Sequence, residues 1–110
     1  MANTFTRKIS RNIGTSPTDV GSYTVGASTT AIVIGLSLCN VSAAAITVNA
    51  SLYDGANEYF VVYTAPLAPG QSVVVGGGEQ KLAMITGDRI RVTSSAASSV
   101  DAVLSIMEIT

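Results

Sequence analysis

Histidine and tryptophan are absent from this chain of 110 residues, and cysteine occurs once, at Cys39. Without histidine neither a Ser–His nor a Cys–His catalytic pair exists, and the commonest general base and metal ligand is missing. A single cysteine excludes an intrachain disulfide and favours a reducing compartment at synthesis. We therefore expect no catalytic constellation and no cofactor, and we expect Cys39 to be a small buried side chain.

Charged residues are also scarce, at 12% of the chain against 47% hydrophobic residues. A soluble domain usually has about 25% charged residues, so we expect other copies or a partner to cover much of this surface. The net charge of −1 gives no overall attraction to nucleic acid or to acidic lipid. The charge is unevenly placed, because residues 1–18 hold three basic and no acidic residues (+3) and the remainder sums to 3 − 7 = −4.

Long apolar runs and targeting signals are missing as well. The run "TAIVIGLSL" (30–38) is far shorter than the roughly 18 residues that a membrane-spanning helix needs. The first residues, "MANTFTRKIS", lack the apolar core of a secretory signal. We therefore expect neither a membrane nor a nucleic acid as a partner.

Patterns typical of β-strands recur along the chain. "ITVNASLY" (Ile46–Tyr53) alternates apolar and polar residues, and the turn signal "DGAN" followed by "EYFVVYTA" predicts a hairpin over residues 46–65. "TTAIVIGLSL" (29–38) is apolar on both faces, as in a central strand. With "GSYTV", "QSVVV", "KLAMI", "RIRVT" and "VDAVLSIMEI" the total is about eight strands. We predict an all-β fold, a jelly-roll-like antiparallel β-sandwich, over residues 21–110.

Residues 1–20 differ from the rest because they are polar and basic, with isolated apolar residues four apart. We predict an extended N-terminal arm that docks on a neighbouring subunit, with a first edge strand of the same sandwich as the equal alternative. A single amphipathic turn is also compatible with the spacing. The arm residues expected at the interface are Phe5, Arg7, Lys8, Ile9, Arg11 and Ile13.

The stretch "VVVGGGEQKL" resembles a phosphate-binding loop only superficially. Such a loop ends in Gly-Lys-Ser/Thr at the start of a helix, whereas Gly76–Gly78 leads to Glu79 and then to β-type sequence. Lys81 stands where a dinucleotide fingerprint has its third glycine. We expect a connection between strands, in which the glycines supply positive φ and let another chain come close.

Other polar residues also favour structural roles. Asp54 and Glu58 flank "GAN", but their spacing lacks the ligand set of a calcium loop, so a solvated turn is expected. The pattern "RIRV" places Arg89 and Arg91 on one face of a strand. Such a pair can bind an anion, but a face that is solvated or paired across an interface is more common. Three tyrosines on the predicted hairpin could form a contact patch: Tyr53, Tyr59 and Tyr63.

The sequence resembles a family of small proteins encoded by tailed phages. In that family a "tVpagtTsvvigl.l.N" run leads to an "itv.v.l.dg" hairpin, then to a "lP.PaGssv….g.qKivL..GD.i.V" block and a "vda.vS.lE" strand. Here residues 65–72, 80–82, 87–92 and 100–108 match, whereas "VGAS" lacks the proline of "Vpag". The resemblance covers most of residues 22–110 and implies a virion structural protein with no known active site.

We therefore expect a non-enzymatic phage virion protein that self-associates and docks on the particle, made in the host cytoplasm. Its partners would be other copies and phage virion proteins, either major capsid or head–tail proteins. Capsid decoration (cement) is favoured over a head–tail neck position. The alternative is a tail-fibre or baseplate module that binds a receptor or glycan through one of two loops, "DGANEY" or "GGGEQ". The candidate contacts are Asp54, Asn57 and Tyr59 in the first loop and Gly77 and Glu79 in the second.

Overall fold

The computed structural model describes residues 3–75 and 82–110, in which the regular structure is β apart from one turn of 3-10 helix at Val20–Ser22. The alternating and β-branched sequence patterns account for this content. The strands are β1 (Asn3–Ile13), β2 (Thr18–Asp19), β3 (Thr30–Asn40), β4 (Ile46–Tyr53), β5 (Glu58–Leu67), β6 (Ser72–Val75), β7 (Leu82–Met84), β8 (Arg89–Ser94) and β9 (Val100–Ile109).

The strands form two antiparallel sheets. Sheet A has the order β1-β9-β3-β6, with β7 pairing β3 beyond the end of β6, and sheet B has the order β2-β8-β4-β5. The first strand thus pairs with the last, β2 with β8, β3 with β6 and β7, and β4 with β5. This wrapping of an antiparallel ribbon is the jelly roll, so the predicted jelly-roll-like sandwich is confirmed.

The core lies between the inward faces of the two sheets. Strand β9 contributes Ala102, Leu104 and Ile106, each no more than 1% exposed. The residues between them, Val103 and Ser105, point to the outward face. The facing strands β4 and β8 contribute residues with the same period. The largest fully buried side chains include Leu38, Met84, Ile90, Leu104 and Ile106.

The predicted strand "GSYTV" is wrong. Gly21 and Ser22 have φ of 63° and 53°, and these left-handed conformations interrupt an extended strand. The chain is nevertheless held to the sandwich after this break, because the Val25 N–H donates to the Asp88 carbonyl. Tyr23 and Val25 are buried, so the apolar pattern indicated burial correctly but not the ladder.

The N-terminal residues form an edge strand of the same sandwich, which was one of the two alternatives. Strand β1 pairs antiparallel with β9 from Asn3 opposite Ile109 to Ser10 opposite Ala102, and the register shifts before Ile13. These contacts lie within one copy and do not show whether residues 1–20 also contact a neighbour. The division into an arm of residues 1–20 and a domain of residues 21–110 therefore stays a prediction.

The Val20–Ser22 turn packs closely against the inward side of β1. The Gly21 N–H donates to the Ser10 Oγ over 2.8 Å. A Cβ atom on Gly21 would lie 2.6 Å from the Lys8 Cβ and 3.1 Å from its Cα, and Gly21 has a φ of 63°. Glycine is therefore required here both for its conformation and for the close approach of the two backbones.

A buried amide organises one end of the sandwich. The Asn40 side chain is 0% exposed, and its Nδ2 donates to the carbonyls of Ala44 and Leu67 over 2.9 and 3.1 Å. Its Oδ1 accepts from the N–H and Oγ of Ser42 over 2.9 and 2.7 Å. One side chain thus ties the β3–β4 loop to the end of β5, with its hydrogen-bonding capacity used.

Replacing Asn40 by alanine should lower the free energy of unfolding by about 3 kcal/mol, because the buried Leu67 carbonyl loses its partner and the Ala44 carbonyl and Ser42 each lose hydrogen bonds. Urea denaturation followed by circular dichroism measures the change. Asn3→Ala removes an exposed amide and should change stability by less than about 0.5 kcal/mol. Equal losses for the two variants would contradict the role of the Asn40 network.

Replacing Gly21 by alanine should destabilise the chain by about 2 kcal/mol, from the left-handed conformation and the clash with β1. Hydrogen exchange should accelerate first at the amides of β1, since the clash lies there. The control is Gly26→Ala, whose Cβ would meet only the Thr29 Oγ1 at 3.8 Å. If exchange in β1 were unchanged in Gly21→Ala, the turn would not be what holds this strand.

Candidate interaction surfaces

Strand β1 directs Phe5 and Ile9 away from the core. Phe5 and Ile9 are 72% and 53% exposed, and the two arginines between and beyond them, Arg7 and Arg11, are exposed as well. Neither arginine forms an ion pair with any residue in the described ranges. Four of the residues predicted for the interface therefore share one outward face.

The other two predicted interface residues face inward. Lys8 pairs with Leu104, and its Nζ lies 5.0 Å from the centre of the Tyr23 ring. Ile13 is 2% exposed and belongs to the core, although it has the same spacing as Phe5 and Ile9. The reason is the register shift before Ile13, where Asn12 has a φ of 55°.

Tyr23 closes the inward side of β1 near the end of β9. Its hydroxyl donates to the Glu108 Oε2 over 2.7 Å. Burial, with the hydrogen bond to this carboxylate, raises the pKa of Tyr23 well above its usual value. Tyr23 therefore stays a neutral hydrogen-bond donor at all physiological pH values.

The outward face of sheet A carries a row of residues across four strands in which only the β3 residue is polar. Ile9 of β1 lies opposite Val103 of β9, which lies opposite Ser37 of β3, which in turn lies opposite Val74 of β6. Val74 and Val103 are 70% and 44% exposed. We call Phe5, Ile9, Val74 and Val103 the sheet A face.

An open groove runs along the seam of β1 and β9 on this side. Its walls are residues of both strands, and the Asp101 Oδ1 at its end accepts from the Asn12 N–H over 3.0 Å. A second apolar row, Phe5 opposite Met107 opposite Ile32, extends the face. The residues that line the groove are Ile9, Ser10, Arg11, Asp101, Ala102 and Val103.

A second exposed apolar surface lies on β5, the edge strand of sheet B. Tyr59, Phe60, Val61 and Tyr63 are 53%, 49%, 37% and 70% exposed, and we call them the β5 patch. The rings of Phe60 and Tyr63 contact each other edge to face, with their centres 4.9 Å apart. Sequence analysis had included only the tyrosines of this set.

Irregular pairing shapes the backbone of β5. The register against β4 shifts on both sides of Ala50, so the two strands do not form a continuous ladder. Thr64 has a φ of 52°, and its N–H donates to the Asn49 Oδ1 over 2.6 Å. Pro66 has no N–H to offer to a further strand. The β5 patch is thus presented as side chains on a bent edge.

Asp54 is used by its own turn. Its Oδ1 accepts from the N–H groups of Ala56 and Asn57 over 2.9 and 2.7 Å, and its N–H donates to the Asn57 carbonyl. These backbone hydrogen bonds lower the pKa of the Asp54 carboxyl, so the charge persists to lower pH than in a free aspartate. Asp54 and Asn57 are both exposed, next to the β5 patch.

Glu58 does not share a site with Asp54. Its Oε2 accepts from the Ser51 Oγ over 3.1 Å, and its Oε1 lies 3.8 Å from the Arg91 guanidinium. Arg91 also donates from Nε to the Asp19 Oδ1 over 2.7 Å and stacks 3.6 Å from the centre of the Tyr53 ring. Arg89 lies 3.7 Å from the Asp19 Oδ2, so both arginines of this strand have an acidic neighbour within the chain.

The remaining expectations concern Cys39, metal binding, a membrane-spanning helix and the glycine stretch. Cys39 is half-buried, and the groups in the described ranges include no set of three that could hold a metal ion. No helix among residues 3–75 and 82–110 is long and apolar enough to cross a membrane. Gly76–Gly78, Glu79 and Lys81, including the predicted contacts Gly77 and Glu79, lie outside the described residues.

Sequence reasoning missed Val74 and Val103. The signal was present for Val103, because in "VDAVLSIMEI" it alternates with the core residues Ala102 and Leu104 and must point to the other face. Val74 lies in an apolar triplet, "VVV", from which no single outward residue can be chosen.

Comparison with known proteins gives a likeness of fold. A chain of infectious bursal disease virus, strain Gx, superposes with a TM-score of 0.59 and 13% identity over 96% of this chain. Our chain spans about a third, 32%, of that viral chain.

Two further solved structures are more distant. A Bacillus endospore appendage protein that forms disulfide-linked pili has a TM-score of 0.48 and 15% identity, covering 100% of this chain and 91% of that one. A pentameric capsid protein from metagenomic phage sequences has a TM-score of 0.43 and 19% identity, covering 94% and 59%. No protein-family model and no curated protein sequence matches this chain. The chain therefore has a jelly-roll fold that is also found in a virus.

Proposed function

We propose that this chain is a non-enzymatic structural protein of a tailed-phage virion that self-associates and docks on the particle. Capsid decoration is the favoured position, and a place in the head–tail neck is the second. The sheet A face is the observation that carries the proposal. Four large apolar side chains, 44% to 72% exposed, lie on its outward surface. Such a patch is a liability on a monomer and is typical of a surface that another protein covers.

The fold and the sequence support the same role. Jelly rolls occur in viral capsids and in lectins, and the fold likeness to a chain of infectious bursal disease virus agrees with the first of these. The resemblance of residues 22–110 to small tailed-phage proteins points to the same class. The low charge content, 12%, suits a subunit that is mostly covered in its assembly.

The basic residues of β1 indicate the character of its partner. Arg7 and Arg11 alternate with Phe5 and Ile9, so a matching surface would combine apolar groups with carboxylates. We assign β1 to the contact with a neighbouring subunit and the far side of the sheet A face, around Val74, to the contact with the particle. Burial of apolar area would stabilise both contacts by roughly 25 cal/mol per Å², less the cost of ordering.

Four carboxylates in the described part of the chain are engaged by its own groups, which weighs against a role for them in acid–base catalysis. The carboxylate of Asp54 holds its own turn, and Glu58 bonds to Ser51 and approaches Arg91. Asp19 pairs with Arg91, and Glu108 accepts from Tyr23. A general acid or base must instead be free to reach a substrate.

A receptor- or glycan-binding module is the second candidate, favoured by one observation. The β5 patch exposes three aromatic rings beside the Asp54 turn, and aromatic faces are common contacts for sugars. In that case immobilised glycans should retain the wild-type protein but not the variant Tyr59→Ala. If the glycans retain neither protein, the glycan-binding candidate is excluded and the structural role in the virion is kept.

The primary test is the protein content of particles. Density-gradient-purified virions of the phage that encodes this chain should contain it, as measured by quantitative mass spectrometry. A copy number close to that of the major capsid protein would identify decoration, and a small fixed number would identify the neck. Finding the chain in the lysate but not in purified particles would overturn the virion proposal.

A substitution then tests the docking face. Val74→Asp should reduce the amount of protein bound to particles by at least tenfold, because a charge would be buried against an apolar contact. The matched control is Val41→Asp, at a loop position that is 49% exposed against 70% for Val74. Binding is measured by sedimenting particles that lack the protein after adding each purified variant. Equal binding of the two variants would exclude Val74 from the contact.

A further inference from the structure

The two longest edge strands lie on opposite sides of the sandwich. Strand β1 ends sheet A and contacts the Val20–Ser22 turn and β8, whereas β5 ends sheet B and contacts β6 at the far edge of sheet A. Neither strand pairs with another strand on its outer side within the described ranges. Each copy therefore presents one of these long edge strands at each side.

The chemistry of the two edges is different and complementary. The β1 edge combines Phe5 and Ile9 with Arg7 and Arg11, two cations that form no ion pair with residues 3–75 or 82–110. The β5 edge combines the aromatic β5 patch with the exposed carboxylate of Asp54, whose lowered pKa keeps it ionised. Arginine binds both carboxylates and the faces of aromatic rings, so each group on β1 has a suitable partner on β5.

Pairing of like edges is less favourable. Two β1 edges placed together would bring Arg7 and Arg11 of one copy close to the same cations of the other. The carboxylate that shares the groove with Arg11, Asp101, already accepts from the Asn12 N–H. On β5, the register shifts, the positive φ of Thr64 and the missing N–H of Pro66 disfavour regular strand addition. A contact on β5 is therefore made mainly by side chains.

We infer that copies of this chain associate head to tail, with the β1 edge of one copy packed on the β5 patch and Asp54 of the next. This inference rests on the proposed self-association and names the surface that receives β1. A contact between two different surfaces repeats from copy to copy, and it closes into a ring when the rotation between neighbours permits. Strand β1 need not leave β9, because the contact uses the outward side chains of an intact sandwich.

Two variants that each destroy one edge provide the test. The β1 variant carries Phe5→Asp with Ile9→Asp, and the β5 variant carries Phe60→Asp with Tyr63→Asp. All four side chains are 49% to 72% exposed, so both variants should fold, which circular dichroism and thermal unfolding check. Val41→Asp is again the matched control. Multi-angle light scattering measures the mass of each protein and of mixtures.

The wild type and the control should form a discrete oligomer. Each edge variant alone should be a monomer, with an association constant at least about 30-fold lower, as expected for loss of interface hot spots. An equimolar mixture of the two should give a species of two chains and no larger one, because one intact β1 edge and one intact β5 patch remain. Added salt should weaken this pair, since Arg7 and Arg11 contribute to it.

Three results would overturn the inference. A wild type that stays monomeric up to its solubility limit would exclude the contact. Dimers of either edge variant alone would show pairing of like edges, and a mixture that remains monomeric would show that the two edges do not bind each other. None of these results depends on whether purified virions contain the chain, so a failure here is distinct from a failure of the virion role.

Discussion

The pairing of β9 with both β1 and β3 is the constraint on which the rest of sheet A depends. With neighbours on both sides, β9 cannot shift its register without moving two ladders, so its faces are fixed. Ala102, Leu104 and Ile106 must point into the core, and Val103 must then point outward. The exposure of Val103 therefore follows from the register of β9, since no repacking of the core can bury this side chain.

The exposure of Phe5 and Ile9 is enforced by packing on the other side of β1. A shift of β1 by one residue would turn both side chains inward and would remove their apolar surface from water. The Val20–Ser22 turn opposes that shift, because Gly21 lies against the backbone of Lys8 and bonds to Ser10. Ile13, turned inward by the register shift, anchors the end of the strand in the core. The outward apolar face of β1 is thus part of the stable fold.

Local patterns predicted the parts of the fold that local geometry controls. The hairpin expected over residues 46–65 is β4 and β5 with the Asp54 turn between them, and the apolar run at 29–38 is the central strand β3. The break at Gly21 and the inward turn of Ile13 were not predictable, because they depend on backbone conformations that apolar periodicity does not encode.

Contacts between distant strands also limited what could be foreseen of the surfaces. The pattern "RIRV" placed Arg89 and Arg91 on one face, but their partner Asp19 reaches them only because β2 pairs with β8. Asp19 is thereby taken up by β8, and the arginines of β1 have no ion-pair partner within the described ranges. Sequence alone showed where the cations are, and only the topology showed which of them are available to another molecule.

A jelly roll built from two open sheets has four edges, and this chain treats them unequally. The β2 edge is only two residues long, and its charges are paired with β8. The β5 edge is bent away from regular pairing, while β1 keeps a regular ladder from Asn3 to Ser10 and carries positive charge. These features all restrict indiscriminate strand addition, yet they leave apolar side chains exposed on β1 and β5. Protecting the backbone of an edge while exposing its side chains permits a specific neighbour and disfavours an unlimited sheet.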